Sequence, residues 1–210
     1  IILTKNSTEA LNTVILGMLS KGGHALTTSF EHNSVARPLQ LLQKRGKASY
    51  SLIETNDLAG ITEENIRKTL RKDTKLIVVN GTSNVTGAHA PLRLFCKVAK
   101  EVGVPLLVDG SQTAGTKRID LTELPIDFFA FTGHKHLFGP QGTGGLYLRD
   151  PELLPFLMTG GTGSRSALLD HPEFLPDKFE AGTLNTPGYA GLAAGVRHIL
   201  DVGLETISVR

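Results

Sequence analysis

The sequence of 210 residues has a single cysteine, Cys96. No internal disulfide can form, and no cluster of thiols exists to hold zinc or an iron–sulfur group, so a reducing cytoplasm is the expected compartment. An excess of one charge is also lacking. Lys and Arg total 22 against 20 Asp and Glu, for a net charge of +2, too balanced to neutralise nucleic-acid phosphates or anionic lipid. Small molecules or proteins are the expected partners, without nucleic acid and without membrane. No apolar run approaches the length of a membrane span, and the first residues lack the charged, apolar, small order of a signal peptide. There is no internal repeat or low-complexity segment. The sequence starts at Ile1, in mid-pattern and without Met, and stops at Arg210 just after a helical stretch, so a fragment is expected.

Apolar, β-branched runs recur along the chain. An opening strand is expected at 1–4, and further strands at 24–29, 48–54, 75–80, 104–109, 126–131 and 144–148. Between them, apolar residues spaced by three and four predict amphipathic helices at 8–20, 62–72 and 92–103, with a last helix at about 189–202. Several strands are continuously apolar. The alternation therefore predicts an α/β fold in which a mainly parallel sheet is sandwiched by helices in three layers. Past residue 150 the alternation weakens, and 160–188 reads as a long irregular loop, a lid or an interface arm.

Parallel sheets bind ligands beyond the carboxyl ends of their strands. The polar residues that follow each apolar run should therefore meet in one crevice. They are Phe30-Glu31-His32-Asn33, Thr82-Ser83-Asn84, Asp109 with Gln112, and Thr132 with His134 and Lys135. An amine in such a crevice, partly desolvated or near other cations, becomes a nucleophile. Pyridoxal phosphate enzymes use such a lysine to form a Schiff base and a carboxylate to keep the ring nitrogen protonated, and Lys135 and Asp109 fit those roles. A helix start suits the phosphate, and "KNSTEALN" offers Ser7 and Thr8 there behind an approximate capping box. Plainer uses exist for each residue. Asp109 and the amides of Asn84 and Gln112 can hold turns, His32 can be a buried structural histidine, and Ser7 and Thr8 can cap a helix. His134 and His136 form an H-x-H pair, but no carboxylate nearby in sequence supports a metal site, so none is expected. Cys96, at a helical position among apolar neighbours, reads as a small core residue.

Six motifs occur in order, "NSTEA", "EHNSV", "SNVTG", "DGSQTAG", "TGHKHLFGPQGTGGLY" and "FEAGTLNTPG". Through them the chain resembles the class V aminotransferases, a branch of the fold-type I pyridoxal phosphate enzymes, and most of all their cysteine desulfurase and selenocysteine lyase group. The resemblance implies that residues 1–210 are the large cofactor-binding domain of a pyridoxal 5'-phosphate-dependent transferase. It implies that Lys135 is the Schiff-base lysine and the base that moves the substrate α-proton, that Asp109 pairs with the ring nitrogen, and that His32 stacks on the ring and assists proton transfer. Asn84 and Gln112 would lie near the phenolic oxygen, and Ser7, Thr8, Thr132 and His134 would form the phosphate cup. Gly182 and Thr183 would reach into the phosphate site of a neighbouring subunit, making a homodimer with shared active sites. His136 has no family role. The glycines after Lys135 are expected to supply positive-φ freedom for a sharp turn.

Family members also carry a smaller C-terminal domain with the substrate-binding arginine and, in desulfurases, the reactive cysteine. Residues 189–202 would begin the connection to it. The expected reaction converts cysteine to alanine and leaves sulfur on an enzyme cysteine outside this chain, from which a sulfur-acceptor protein could take it. Other class V reactions (selenocysteine lyase, transamination, elimination) stay open, as does a non-catalytic fragment that binds cofactor weakly.

Overall fold

The computed structural model describes residues 1–208, so the last two residues of the expected domain lie outside them. Seven strands form one sheet: β1 (Ile2–Thr4), β2 (His24–Thr28), β3 (Ser49–Ile53), β4 (Thr74–Asn80), β5 (Leu106–Asp109), β6 (Phe128–Thr132) and β7 (Gly144–Leu148), in the spatial order β1-β7-β6-β5-β4-β2-β3. β7 runs antiparallel to both its neighbours, and the other pairings are parallel. All seven expected strands are present, within a residue or two at their ends.

The helices are α1 (Ser7–Met18), α2 (Asn33–Lys44), α3 (Glu63–Thr69), α4 (Leu92–Val102), α5 (Thr186–Val202) and α6 (Leu204–Ser208). Side-chain alternation along β4 explains the layers. Leu76 and Val78 join one apolar cluster with Leu11, Val14 and Ile15 of α1 and Val35 and Leu39 of α2, while Ile77 and Val79 join a second with Ile66 of α3 and Phe95 and Val98 of α4. A sheet buried on both faces must be apolar at every position, which is why its strands read as continuous runs. The expected three-layer α/β/α arrangement is the observed one.

α2 is a helix that the sequence reading leaves out. Its apolar residues Val35, Leu39 and Leu42 have helical spacing, but Pro38 sits inside it and cannot donate a hydrogen bond to Ser34 O. Burial of that apolar stripe against α1 outweighs the lost bond.

Register sets the ends of the central strands level. Asn80 at the end of β4 pairs with Asp109 at the end of β5, and Asp109 pairs with Ala130 near the end of β6. After a 3-10 turn at Pro151–Leu153, no helix or strand forms until α5, which starts at Thr186. Tyr189 of α5 donates a hydrogen bond to Thr4 O at 2.7 Å and ties the last long helix back to β1. No helix among the described residues is long and apolar enough to cross a membrane.

Candidate active site

Asp109 is 2% exposed at the end of β5. Its Oδ1 accepts hydrogen bonds from Ser111 N at 2.9 Å and from Ser111 Oγ, whereas Oδ2 makes none among the described residues. Ser111 Oγ also lies 2.7 Å from Ser7 Oγ, the first residue of α1. A buried carboxylate is thereby linked through one hydroxyl to a helix N-terminus. α1 is capped by Asn6, whose side chain accepts from Glu9 N, while Glu9 Oε2 accepts from Lys5 N. The first-turn amides of Ser7 and Thr8 have no acceptor within the helix, and the helix dipole is positive at that end.

Thr8, the next residue, leads to α2. Its Oγ1 is 2.7 Å from Ser34 Oγ, which is 2.9 Å from His32 Nδ1. Ser34 N also donates to Nδ1, at 3.1 Å. A backbone N–H can only donate, so neutral His32 keeps its lone pair on Nδ1 and its proton on Nε2. Thr8 and His32 share the wall of a cavity of about 560 Å³ with Arg37.

Lys135 lies three residues beyond β6 and is half-buried, and its amine has no hydrogen bond or ion pair among the described residues. Its neighbours are tied down on both sides. Thr132 Oγ1 is 3.0 Å from His134 Nδ1, and His136 Nε2 is 3.1 Å from Gln112 Oε1. The second contact gives His136 a place the sequence did not suggest. It holds the Gln112 carbonyl oxygen, which leaves the amide NH2 free to donate elsewhere.

The glycines after Lys135 do less turning than expected. Of those at 139, 142, 144 and 145, only Gly142 has a positive φ, +76°, and the non-glycine Phe138 adopts +54°. Gly144 is needed for close approach instead, because a Cβ there would stand 2.7 Å from Phe131 O and 2.8 Å from Asn6 Cα. The tract lets β7 lie close against the chain that opens α1.

The structure thus brings together Asp109 with Ser7 through Ser111, His32 with Thr8 through Ser34, and, on either side of Lys135, Thr132 with His134 and Gln112 with His136. Three expected residues make no link to these pairs. Asn84 is exposed and its side chain makes no hydrogen bond among the described residues. Gly182 and Thr183 line a separate cleft of about 460 Å³ with Lys5, Glu9 and Tyr189, at the β1 edge. Ser111 and Ser34 were absent from the sequence reading, although both lie within the quoted motifs "DGSQTAG" and "EHNSV". Glu31 was noted there without a role. Its carboxyl is buried, which pushes its pKa up to about 8 against the pull of hydrogen bonds from Thr28 and Asn80, with the charge of Asp109 adding to the rise.

Cys96 is 2% exposed inside α4, and burial pushes its thiol up to about 11. It has neither the access nor the thiolate character that sulfur chemistry needs.

The family model described as aminotransferase class-V matches residues 1–210. A probable cysteine desulfurase of Pyrococcus abyssi is 36% identical over 217 residues, covering 99% of this chain and 53% of that protein. Among solved structures, the apo cysteine desulfurase of Thermococcus onnurineus NA1 superposes with a TM-score of 0.86 at 36% identity, covering 96% of this chain and 52% of that one. A structure of SspA in complex with cysteine gives a TM-score of 0.80 at 28% identity, covering 93% of this chain and 54% of that one. The chain spans about half the length of the curated relatives it matches.

Proposed function

The chain belongs to the class V aminotransferase family, and from that premise we propose that it is the large, cofactor-binding domain of a pyridoxal 5'-phosphate-dependent cysteine desulfurase-like enzyme. The observation that carries the reading is the linked set Asp109–Ser111–Ser7, in which a buried carboxylate with one free oxygen is joined to a helix N-terminus. The donor set suits the cofactor. Asp109 Oδ2 has room for one N–H, the α1 amides and the hydroxyls of Ser7 and Thr8 suit a phosphate dianion, and the Lys135 amine is uncommitted.

When bound, the cofactor supplies an electron sink for the bonds around a substrate α-carbon. The residues of the chain would do the rest. Lys135 would hold the aldehyde carbon and, once displaced by the substrate amine, carry the α-proton. Asp109 would keep the ring nitrogen protonated, with Ser111 N and Oγ holding its carboxylate in place. His32, fixed by Ser34 with its proton on Nε2, would stack on the ring and assist proton transfer. Gln112 and Asn84 would donate to the phenolic oxygen, and Thr132 and His134 would complete the phosphate cup.

Cysteine is the substrate that the named relatives favour. The structural neighbour SspA is described with cysteine bound. The sulfur would pass to a thiol other than Cys96, elsewhere in the full-length protein, and from there to an acceptor protein. Gly182 and Thr183, away from the Lys135 turn, would complete the site of a second subunit in a homodimer, with 160–188 as the interface arm and 189–202 leading toward a C-terminal domain. A single buried cysteine is in keeping with a cytoplasmic location.

Borohydride reduction of the cofactor-loaded protein, followed by mass spectrometry, tests the assignment. A pyridoxyl group fixed on Lys135, absent from K135A, is the expected result, and a label elsewhere or none at all would overturn it. Alanine release from cysteine by the full-length protein tests the reaction.

A further inference from the structure

Glu31, in the turn after β2, is a buried carboxyl group without a part in that chemistry. Its Oε1 accepts hydrogen bonds from Thr28 Oγ1 at 2.6 Å and from Asn80 N at 3.0 Å, so it spans the ends of β2 and β4. Asn80 Nδ2 returns a hydrogen bond to Phe30 O at 3.2 Å, which clamps the turn from the other side. The second oxygen, Oε2, is sealed from solvent and has no hydrogen-bond partner among the described residues. A charged oxygen sealed without a donor is far costlier than a neutral O–H in the same place.

Asp109 faces Glu31 as a like charge from β5, where it is paired in register with Asn80. Thr28 and Asn80 contribute only neutral donors from β2 and β4, and His32 is the titratable group at the head of α2. Two carboxylates that sense each other do not ionise equally, and the one with the poorer surroundings keeps the proton. Asp109 Oδ2 is left open to a ligand, whereas Glu31 Oε2 is enclosed.

We propose that Glu31 is a positioning residue that carries a proton in the folded protein below neutral pH and binds the turn that carries His32 to the strand ends that carry Asn80 and Asp109. This rests on the reading of Asp109 as the partner of the cofactor ring nitrogen. By spanning β2 and β4, Glu31 fixes the turn that leads into His32.

Infrared spectroscopy of the cofactor-free protein below neutral pH provides the first test. A carboxylic-acid C=O band that disappears in E31Q, and that wild type loses as pH rises through about 8, is expected; its absence from wild type below neutral pH would overturn the proposal. The visible spectrum of protein loaded with pyridoxal phosphate should show a step over the same pH interval, missing in E31Q, and a step that persists in E31Q would sever Glu31 from Asp109. E31A should weaken pyridoxal phosphate binding about tenfold, with E31Q restoring it because Gln keeps an acceptor for Asn80 N. An E31A protein that binds as tightly as wild type would refute the positioning role. If no pyridoxal phosphate binds to wild type, the functional reading fails, and the infrared band of the cofactor-free protein still decides whether Glu31 carries a proton.

Discussion

Cys96 and Glu31 both sit in the interior, and burial raises the pKa of each, with consequences that can be measured separately. The Cys96 thiol should resist alkylation in the native protein at pH 8 and react fully once unfolded. Because its neighbours are apolar, C96S should cost about 1–3 kcal/mol more stability than C96A in denaturant melts, by leaving a hydroxyl without a partner; equal costs would indicate a polar neighbour. Glu31 affects stability through linkage. Its pKa rises from 4.5 in the unfolded chain to about 8 in the fold, so folding takes up a proton between those values. The contribution of Glu31 is therefore fully present below pH 4.5, declines as pH rises, and levels off above pH 8. Denaturant melts of the cofactor-free protein should show E31Q gaining on wild type by on the order of 3 kcal/mol between pH 4.5 and pH 7, and a difference independent of pH would mean that Glu31 is already ionised in the fold. Asp109 was legible in the sequence because a carboxylate directly after an apolar run marks a strand end. Glu31 carried no such mark, since its burial depends on β4 lying beside β2, which local sequence does not state.

Among the elements, α1 shows how one short segment serves both packing and the candidate site. Its apolar stripe holds it on the sheet, and that placement brings Ser7 to Ser111 and Thr8 to Ser34. Removing the Ser111 hydroxyl leaves Asp109 its backbone donor but cuts the link to Ser7. S111A should therefore fold normally and bind pyridoxal phosphate about tenfold more weakly, with S111T closer to wild type. Unchanged affinity in S111A, measured by equilibrium titration of the cofactor absorbance, would show the link to be incidental. The helix start was readable from "KNSTEALN", where capping residues precede a 3.6-residue period. α2 was hidden by Pro38, although the spacing of Val35, Leu39 and Leu42 was there to be found. The positive-φ freedom expected of the glycine tract is used at Gly142 alone. Close approach of β7 to the α1 entry, a tertiary requirement, decides Gly144, and no local turn signal announces that.

At the scale of the whole molecule, alternating strands and helices gave the layers, but not the order of the strands or the reversed direction of β7. Those depend on which edges pair, and an apolar run such as "GGLYL" carries no mark of strand direction. The irregular stretch before α5 leaves apolar surface uncovered, as several other surface positions do. Leu168 is 59% exposed and Leu169 fully exposed, in the same stretch that leads to Gly182 and Thr183. A neighbouring pair of bare leucines on a long loop is costly in water and suits contact with another protein surface. If that surface is a second copy, light scattering should give twice the 22.5 kDa chain mass. Replacing both leucines by aspartate should then yield a monomer, since each copy would bury new charges at the contact. The monomer should also bind pyridoxal phosphate more weakly, because each site would lose the partner's loop, while near-ultraviolet circular dichroism stays native. A monomeric double variant with full cofactor affinity would separate dimerisation from the site and remove Gly182 and Thr183 from it. A variant that remains dimeric would move the interface away from this loop.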